Sequence, residues 1–377
     1  MKMRNMGKLG ISVSAFGVGC MRFPMTVVDG VQVVDESVST PAIRYAIDHG
    51  VNYMDTAYVY SGQKNEMALG HALRDGYREK VYIATKLPAW KCNAPEDMER
   101  ILNEQLEQLE TDYIDFYLLH SLTKSNWEKF KSFGALEFLT KAKAEGKIRY
   151  ACFSFHDSYE LFEEILNAYD WDMCQIQFNF MDINNQAGLK GLQLCGEKNI
   201  PVVIMEGLLG GKLAKAPDNV QALYDAYPVK RSPVEWAFRW LCNFPQVATV
   251  LSGVQNMEMT KDNLEIFDRC EVGCMTEEEE KLIENVREAY LSRSKIGCTG
   301  CKYCMPCPNG VDIPKVFDIW NNLSLYGQRL AGNDRYKYHI DQGDAADKCV
   351  ECGLCEAACP QHLAIIENLK TAHSEMV

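Results

Sequence analysis

No apolar run in this sequence reaches the ~18 residues that a membrane-spanning helix needs, so no membrane partner is expected. The opening MKMRNMGKLG lacks the apolar stretch of a secretion signal. No GxGxxG follows the first apolar run, which weakens a dinucleotide fold of the open-sheet type. Positive charge is scarce: 39 Lys and Arg stand against 52 Asp and Glu, a net charge of −13 with no basic block to offset it. Phosphate backbones would be repelled, so nucleic acid is not an expected partner. Low-complexity linkers and short-period repeats are absent as well. Cysteine is not scarce. Sixteen are present, and without an export signal they read as metal ligands and free thiols in a reducing compartment, the cytoplasm, rather than as a disulfide framework.

Apolar residues make up 47% and charged residues 24%, ordinary values for a globular chain long enough to bury a substantial core. Up to about residue 270, short apolar runs alternate with amphipathic ones. The runs at 13–19, 53–57, 81–86, 114–120, 148–155, 173–179, 201–206 and 247–253 read as strands. Between them, 41–50, 95–109, 135–146, 159–169, 188–199 and 233–243 show helical spacing, with Pro41 placed as a helix start. Strands alternating with helices predict a parallel sheet. The expected fold class is α/β: a (β/α)₈ TIM barrel followed by a mostly helical, ferredoxin-like iron–sulfur domain. An open doubly wound sheet is the rival. The expected divisions are a barrel at 1–275, a connecting helix at 276–292 and a cysteine-rich domain at 293–377. Thr276 and Glu279 match a capping box, and the acidic run around them reads as a solvated helix start.

In such a barrel, chemistry gathers at the C-terminal ends of the strands. Asp55 ends the second strand, Tyr60 follows in the next loop, Lys86 ends the third strand and His120 ends the fourth. Carbonyl reduction builds negative charge on the substrate oxygen, and a positioned proton donor removes it. A phenol has a pKa of about 10 unless perturbed. A lysine ammonium beside it lowers that value, a carboxylate holds the lysine, and a histidine can donate to the same oxygen. Each residue alone would read as a cap, a surface lysine or a rim histidine. In this order they form a set.

The DTAxxY run, the strand-end lysine and the D-x-x-x-x-H run from Asp115 to His120 resemble the aldo-keto reductases over about residues 1–270. The resemblance implies an NAD(P)-dependent oxidoreductase acting on a small-molecule carbonyl. Tyr60 would be the general acid, Lys86 its tuner, Asp55 the partner of Lys86, and His120 the orienter. It also implies cofactor positions. Ser154 and Gln175 resemble the residues that hold the nicotinamide amide. The loop at 205–213 resembles the pyrophosphate side, with Met205, Gly207, Leu208, Gly210 and Lys212. The stretch 252–263 resembles the adenosine side, with Ser252, Gly253, Asn256 and Asn263. Phe155 stands where the family often has asparagine, Met205 where it often has an aromatic ring, and Gly253 and Met259 where it often has a basic pair. NADP, NAD and a flavin therefore all stay open.

The second cysteine run, Cys349-x₂-Cys352-x₂-Cys355-x₃-Cys359-Pro360, has the bacterial ferredoxin spacing for [4Fe–4S] sites, in which the fourth cysteine serves the other cluster. The first run, Cys298, Cys301, Cys304 and Cys307 before Pro308, is one spacer residue shorter. By the same rule one cluster takes Cys298, Cys301, Cys304 and Cys359, and the other takes Cys349, Cys352, Cys355 and Cys307. Structural zinc is the alternative, although zinc usually takes two separated CxxC pairs. Two clusters beside a hydride donor leave three functional readings. The barrel reduces carbonyls with NAD(P)H and the clusters are ancillary. Or a ferredoxin-type donor feeds electrons through a flavin or similar group, because clusters move single electrons and nicotinamide moves pairs. Or the barrel binds a dinucleotide in a redox-sensing protein without turnover.

Overall fold

In a computed structural model, which describes residues 1–327 and 329–377 (329–332 by backbone alone), the eight apolar runs become a closed parallel barrel. Its strands are β1 (Phe16–Gly19), β2 (Tyr53–Asp55), β3 (Tyr82–Pro88), β4 (Ile114–Leu122), β5 (Ile148–Phe155), β6 (Met173–Gln177), β7 (Val202–Met205) and β8 (Val247–Gly253). They pair in chain order, and β8 closes on β1 with Gly253 opposite Gly19. Burial explains why these runs are strands. Nearly every residue of β4 is buried, as expected where a parallel sheet is covered on both faces. Asp55 pairs in register with Ala84, and Pro88 with His120, so the ends of β2, β3 and β4 lie side by side.

Two hairpins were not expected. Met3–Asn5 pairs antiparallel with Ser12–Ser14. That hairpin sends Met6 and Val13 into a buried cluster with Tyr53, Phe116, Met173 and Ala248, at the strands' starting ends. The run read as one strand from 13 to 19 is therefore two, broken at Ala15. Its N–H donates to Lys2 O, and its carbonyl accepts from Val250 N. The second hairpin, Met25–Val28 with Val31–Val34, joins β1 to the first helix and exposes Val27, Val28 and Val31.

Helix α1 spans Glu36–Asp48 and starts five residues before the expected proline. The Asp35 carboxylate caps it by accepting from Ser37 N at 3.1 Å. Pro41 thus sits inside the helix, where it leaves one carbonyl without its usual N–H partner. Helices α2 (Asn65–Ala72) and α3 (Glu96–Gln108) meet at Gly70: a methyl group built there would stand 2.6 Å from Gln108 O.

The chain divides into two compact units, residues 1–210 with 235–276 and residues 211–234 with 277–377. The second is helical. Its core gathers Val311, Ile313, Val316, Phe317 and Trp320 with Tyr336, Leu369, Ala372 and Met376. The helix Ile313–Tyr326 is capped by Asp312, which accepts from Lys315 N, and ends at Gly327 in the left-handed region. The acidic run does start a helix, Glu277–Leu291, but Glu279 is not solvated. It is buried and accepts from Arg231 Nη1 at 2.5 Å.

Asp115 lies at the start of β4, six residues before the barrel mouth at Ser121. Its buried carboxylate accepts from Arg78 (2.9 Å), Arg149 (2.8 Å) and Ile83 N (3.0 Å). It is a brace, remote from the strand ends that carry the chemistry. Asp115→Ala leaves a backbone donor and a partly buried guanidinium without their acceptor. It should cost roughly 3 kcal/mol in urea denaturation of the barrel, while nucleotide binding by the folded fraction is unchanged.

Candidate functional site

Lys86 occupies the inner end of β3 and is 1% exposed. Its ammonium donates to both Asp55 oxygens at 2.8 Å and to Thr56 O at 2.6 Å. Burial alone would pull the lysine down, but Asp55 and Tyr60 together hold it above its ordinary value. Burial also pushes the Asp55 carboxyl up against the pull of Lys86. With both its oxygens accepting from the ammonium, the two groups form an ion pair.

Tyr60 opens a single 3₁₀ turn, Tyr60–Gly62, after β2. The Lys86 ammonium lies 5.1 Å from the centre of its ring. Burial pushes the phenol up, and that outweighs the lowering by Lys86. Lys86 acts in the expected direction, but the net shift is upward, so the phenol keeps its proton at neutral pH. The His120 ring stands 6.1 Å from the Tyr60 ring at 81° and 5.1 Å from Trp90. Burial, with the Lys86 and His156 charges, drops the imidazole well below its usual range, so it is neutral. Its Nδ1 is buried with no hydrogen-bond partner. The four residues expected to act together do converge.

The expected cofactor positions divide. Ser154 is buried and accepts from Ser121 N at 2.7 Å. Gln175 is buried with its amide nitrogen 3.7 Å from Met205 Sδ, while its Oε1 has no partner. That orphaned acceptor suits a ligand amide. Gly207 serves packing, since a methyl group there would stand 2.7 Å from Leu241 Cδ1. Leu208 is half-buried beside it. Glu206, Leu209, Gly210 and Gly211 all have positive φ, which turns this loop's backbone sharply. Lys212 belongs to the second unit, where its ammonium donates to Asn322 Oδ1 at 2.7 Å and lies over the Tyr326 ring. Ser252 accepts from Asn263 Nδ2 at 3.1 Å, and Asn256 caps the helix Met257–Phe267 by accepting from Met259 N. Those three brace the β8 end, and Gly253 completes it.

Sequence reasoning missed several neighbours. Trp90 is 45% exposed against His120, four residues beyond Lys86, at a strand-end loop where an aromatic residue could have drawn attention. Cys20 directly follows β1, its thiol pushed up by burial and by Asp55. Glu66 is 1% exposed on α2. It accepts from Thr85 Oγ1 at 2.5 Å and Gln105 Nε2 at 2.7 Å, and its other oxygen has no partner. A charged residue on a helix's apolar face was the available signal.

In the second unit the thiols line two open cavities of about 340 and 700 Å³, mouths included. Cys298, Cys301, Cys304 and Cys359 border the smaller. Cys307, Cys349, Cys352 and Cys355 border the larger, and Cys304 lines both. All sixteen cysteines are free thiols. Around each middle cysteine the chain repeats one conformation: Gly300 and Lys302 flank Cys301 with positive φ, as Glu351 and Gly353 flank Cys352. Such turns direct successive N–H groups inward and make concavities that suit anions, iron–sulfur clusters among them. Among the described residues no three His, Cys, Asp or Glu side chains gather tightly enough for one metal ion. A cubane spreads its thiolates more widely, one to each iron, so this donor set fits a cluster better than zinc.

Two known families match the two parts separately. Residues 15–286 match the aldo/keto reductase family, and residues 297–364 match the 4Fe-4S dicluster domain. A closed parallel barrel with a cluster domain behind it defines an oxidoreductase of composite type. The chain belongs to the aldo/keto reductase family. It is 26% identical over 316 residues to the uncharacterized oxidoreductase YqkF of Bacillus subtilis, covering 76% of this chain and 96% of that one. The holo form of the aldo-keto reductase AKR11C1 from Bacillus halodurans superposes with a TM-score of 0.64 at 25% identity, over 76% of this chain and 96% of that one. An aldo/keto reductase from Klebsiella pneumoniae in complex with NADP and acetate shares the fold at 23% identity and TM-score 0.61, over 76% and 96%. Among the described residues no helix is long and apolar enough to cross a membrane.

Burial pushes the Glu66 carboxyl from the ordinary 4.5 to about 7. The folded chain then holds a proton that the unfolded chain has already lost. The stabilisation is complete below the unfolded pKa and is lost as pH rises through about 7. The loss should total about 3 kcal/mol. Wild-type barrel stability should fall between pH 5 and 7.5, whereas Glu66→Gln should be flatter across that window in anaerobic denaturation followed by circular dichroism. Parallel curves for the two proteins would refute the assignment.

Proposed function

We propose that the barrel reduces a small-molecule aldehyde or ketone with NAD(P)H, and that the eight cysteines of the second unit hold two [4Fe–4S] clusters. The observation that carries the first part is the buried Lys86–Asp55 pair beneath Tyr60 and His120. Reduced nicotinamide, when bound, supplies a hydride to the carbonyl carbon. Tyr60 gives its proton to the carbonyl oxygen, completing the alcohol. Lys86 stabilises the phenolate left behind until solvent reprotonates it, and Asp55 holds Lys86 in place. His120, neutral and with an unpartnered ring nitrogen, orients the carbonyl oxygen. Burial keeps the phenol protonated, so its proton is available to the oxygen as negative charge develops there. Gln175 Oε1 and Ser154 would hold the carboxamide, with the loops bearing Met205, Gly207, Leu208 and Gly210 and bearing Ser252, Gly253, Asn256 and Asn263 as the cofactor's walls. Lys212, engaged with Asn322, is the weakest member of that set.

For the clusters, the cavity linings support Cys298, Cys301, Cys304 and Cys359 as one ligand set and Cys307, Cys349, Cys352 and Cys355 as the other. When bound, such clusters carry single electrons. Exposure of Cys301 and Cys352 favours a second reading, in which a ferredoxin-type partner delivers electrons at this surface and a flavin links them to the substrate. Sixteen cysteines with no disulfide among them support a cytoplasmic site of action.

The deciding experiment uses anaerobically purified protein. With NADPH and a panel of aldehydes, the wild type should turn over without any added electron donor. Tyr60→Phe should lose about 10²–10⁴-fold in kcat with nucleotide binding and visible absorbance retained. Undiminished turnover would remove the phenol from its role, and activity that appears only with reduced ferredoxin or viologen would favour the second reading. Cys359→Ser should lose roughly half of the bound iron. Stoichiometric zinc in an iron-free preparation would overturn the cluster assignment.

A further inference from the structure

We propose that Arg22 clamps the diphosphate of the redox nucleotide, an inference that rests on the dinucleotide reading above. Arg22 ends the single helical turn Cys20–Arg22 that follows β1. Its stem runs along the end of β8: a methyl group built on Gly253 would stand 3.5 Å from Arg22 Cβ and 3.6 Å from Cδ. Its guanidinium reaches the loop after β7, where a methyl group on Gly210 would stand 3.5 Å from Nη2. The side chain therefore bridges two loops at the barrel mouth, and both present bare backbone to it. Gly210 lies between Leu209 and Gly211 in a run of positive φ, the conformation that exposes N–H groups to an anion.

Arg22 makes no hydrogen bond or ion pair among the described residues, and its side chain is exposed. The chain carries a net charge of −13, and two other lysines of this unit have partners. Lys64 donates to Gln32 O, and Lys261 lies over the Tyr45 ring. A guanidinium left without a carboxylate in an acidic protein, set over a glycine loop, is suited to a bidentate contact with phosphate oxygens. A contact at the diphosphate also makes no distinction between NADPH and NADH. The same chemistry would serve the diphosphate of FAD, so the source of the phosphates is settled by comparing nucleotides.

The test is equilibrium binding by calorimetry to anaerobically prepared, cluster-containing wild type, Arg22→Ala, Arg22→Gln and Arg22→Lys, with NADPH, NADH and FAD. Because Arg22 is exposed, the variants should keep wild-type iron content and melting behaviour. Arg22→Ala and Arg22→Gln should weaken NADPH and NADH alike, by about 10- to 100-fold. Arg22→Lys should recover part of the loss, and the salt dependence of binding should flatten in the uncharged variants. Wild-type binding that Arg22→Ala leaves untouched overturns the clamp alone. Weakening of NADPH without NADH also overturns it, by moving the contact to the 2′-phosphate. Binding of FAD alone, weakened by Arg22→Ala, keeps the clamp and overturns the nicotinamide reading. A wild type that binds none of the three overturns both.

Discussion

The barrel's mouth depends on one charge being kept out of water. Lys86 is buried at the inner end of β3, and its ammonium is satisfied by two carboxylate oxygens and a backbone carbonyl. Removing an ion from water is expensive, and a single acceptor would not offset it. The register of β2 against β3 supplies the rest by setting Asp55 beside Ala84, two residues before Lys86. Other features of the site respond to that charge. It lowers the phenol of Tyr60 against the stronger push of burial, and it helps keep His120 neutral. It also acts on Glu66, whose network reaches the backbone of Lys86 itself through Gln105, which donates to Lys86 O at 3.2 Å. The active groups thus share one electrostatic field set by a rigid sheet.

The cysteine-rich unit solves a related problem by another route. Thiolates held around a cluster would concentrate negative charge, and among the described residues no lysine is buried in that unit. The backbone supplies the compensation. Each triplet places left-handed residues on both sides of its middle cysteine, a backbone form that makes concavities suited to anions. Glycine takes one of the two positions in each triplet; Lys302 and Glu351 take the others and accept the strain. In the proposed assignment the fourth thiol of each set comes from the opposite run, and the two cavity linings come together with the packing of the helices Ile313–Tyr326 and Ile365–Met376. Hydrophobic packing and ligand geometry are therefore coupled, and cluster loading should be inseparable from the fold of this unit.

Much of this was legible in order. The eight strands fall where the apolar runs lie, because a strand covered on both faces must be apolar throughout. Asp55, Tyr60, Lys86 and His120 were readable because strand ends in a barrel converge whatever the loops do. What escaped was local or off-pattern. Asp115 shares a motif with His120, yet it braces the opposite end of β4 with two arginines, since the residues between them span the strand's length. Glu279 looked like part of a solvated acidic run but is buried against Arg231, and Pro41 looked like a helix start but lies inside a helix begun by Asp35. Glycines read as ligand contacts also answer local needs: Gly207 allows close packing and Gly210 a positive φ.

The sequence by itself determined the order of strands and helices, the four residues that meet at the barrel mouth, and the ligand spacing of the two cysteine runs. Each of these follows from short-range rules, namely the period of burial, the strand-end position and the reach of adjacent thiols. Only the tertiary structure decided the protonation of Tyr60, the partners of Lys212 and Glu279, the second oxygen of Glu66 left without a donor, and the lone guanidinium of Arg22 over Gly210. These depend on which distant groups approach within a few ångströms and how much water is excluded there, and neither quantity is written in local sequence.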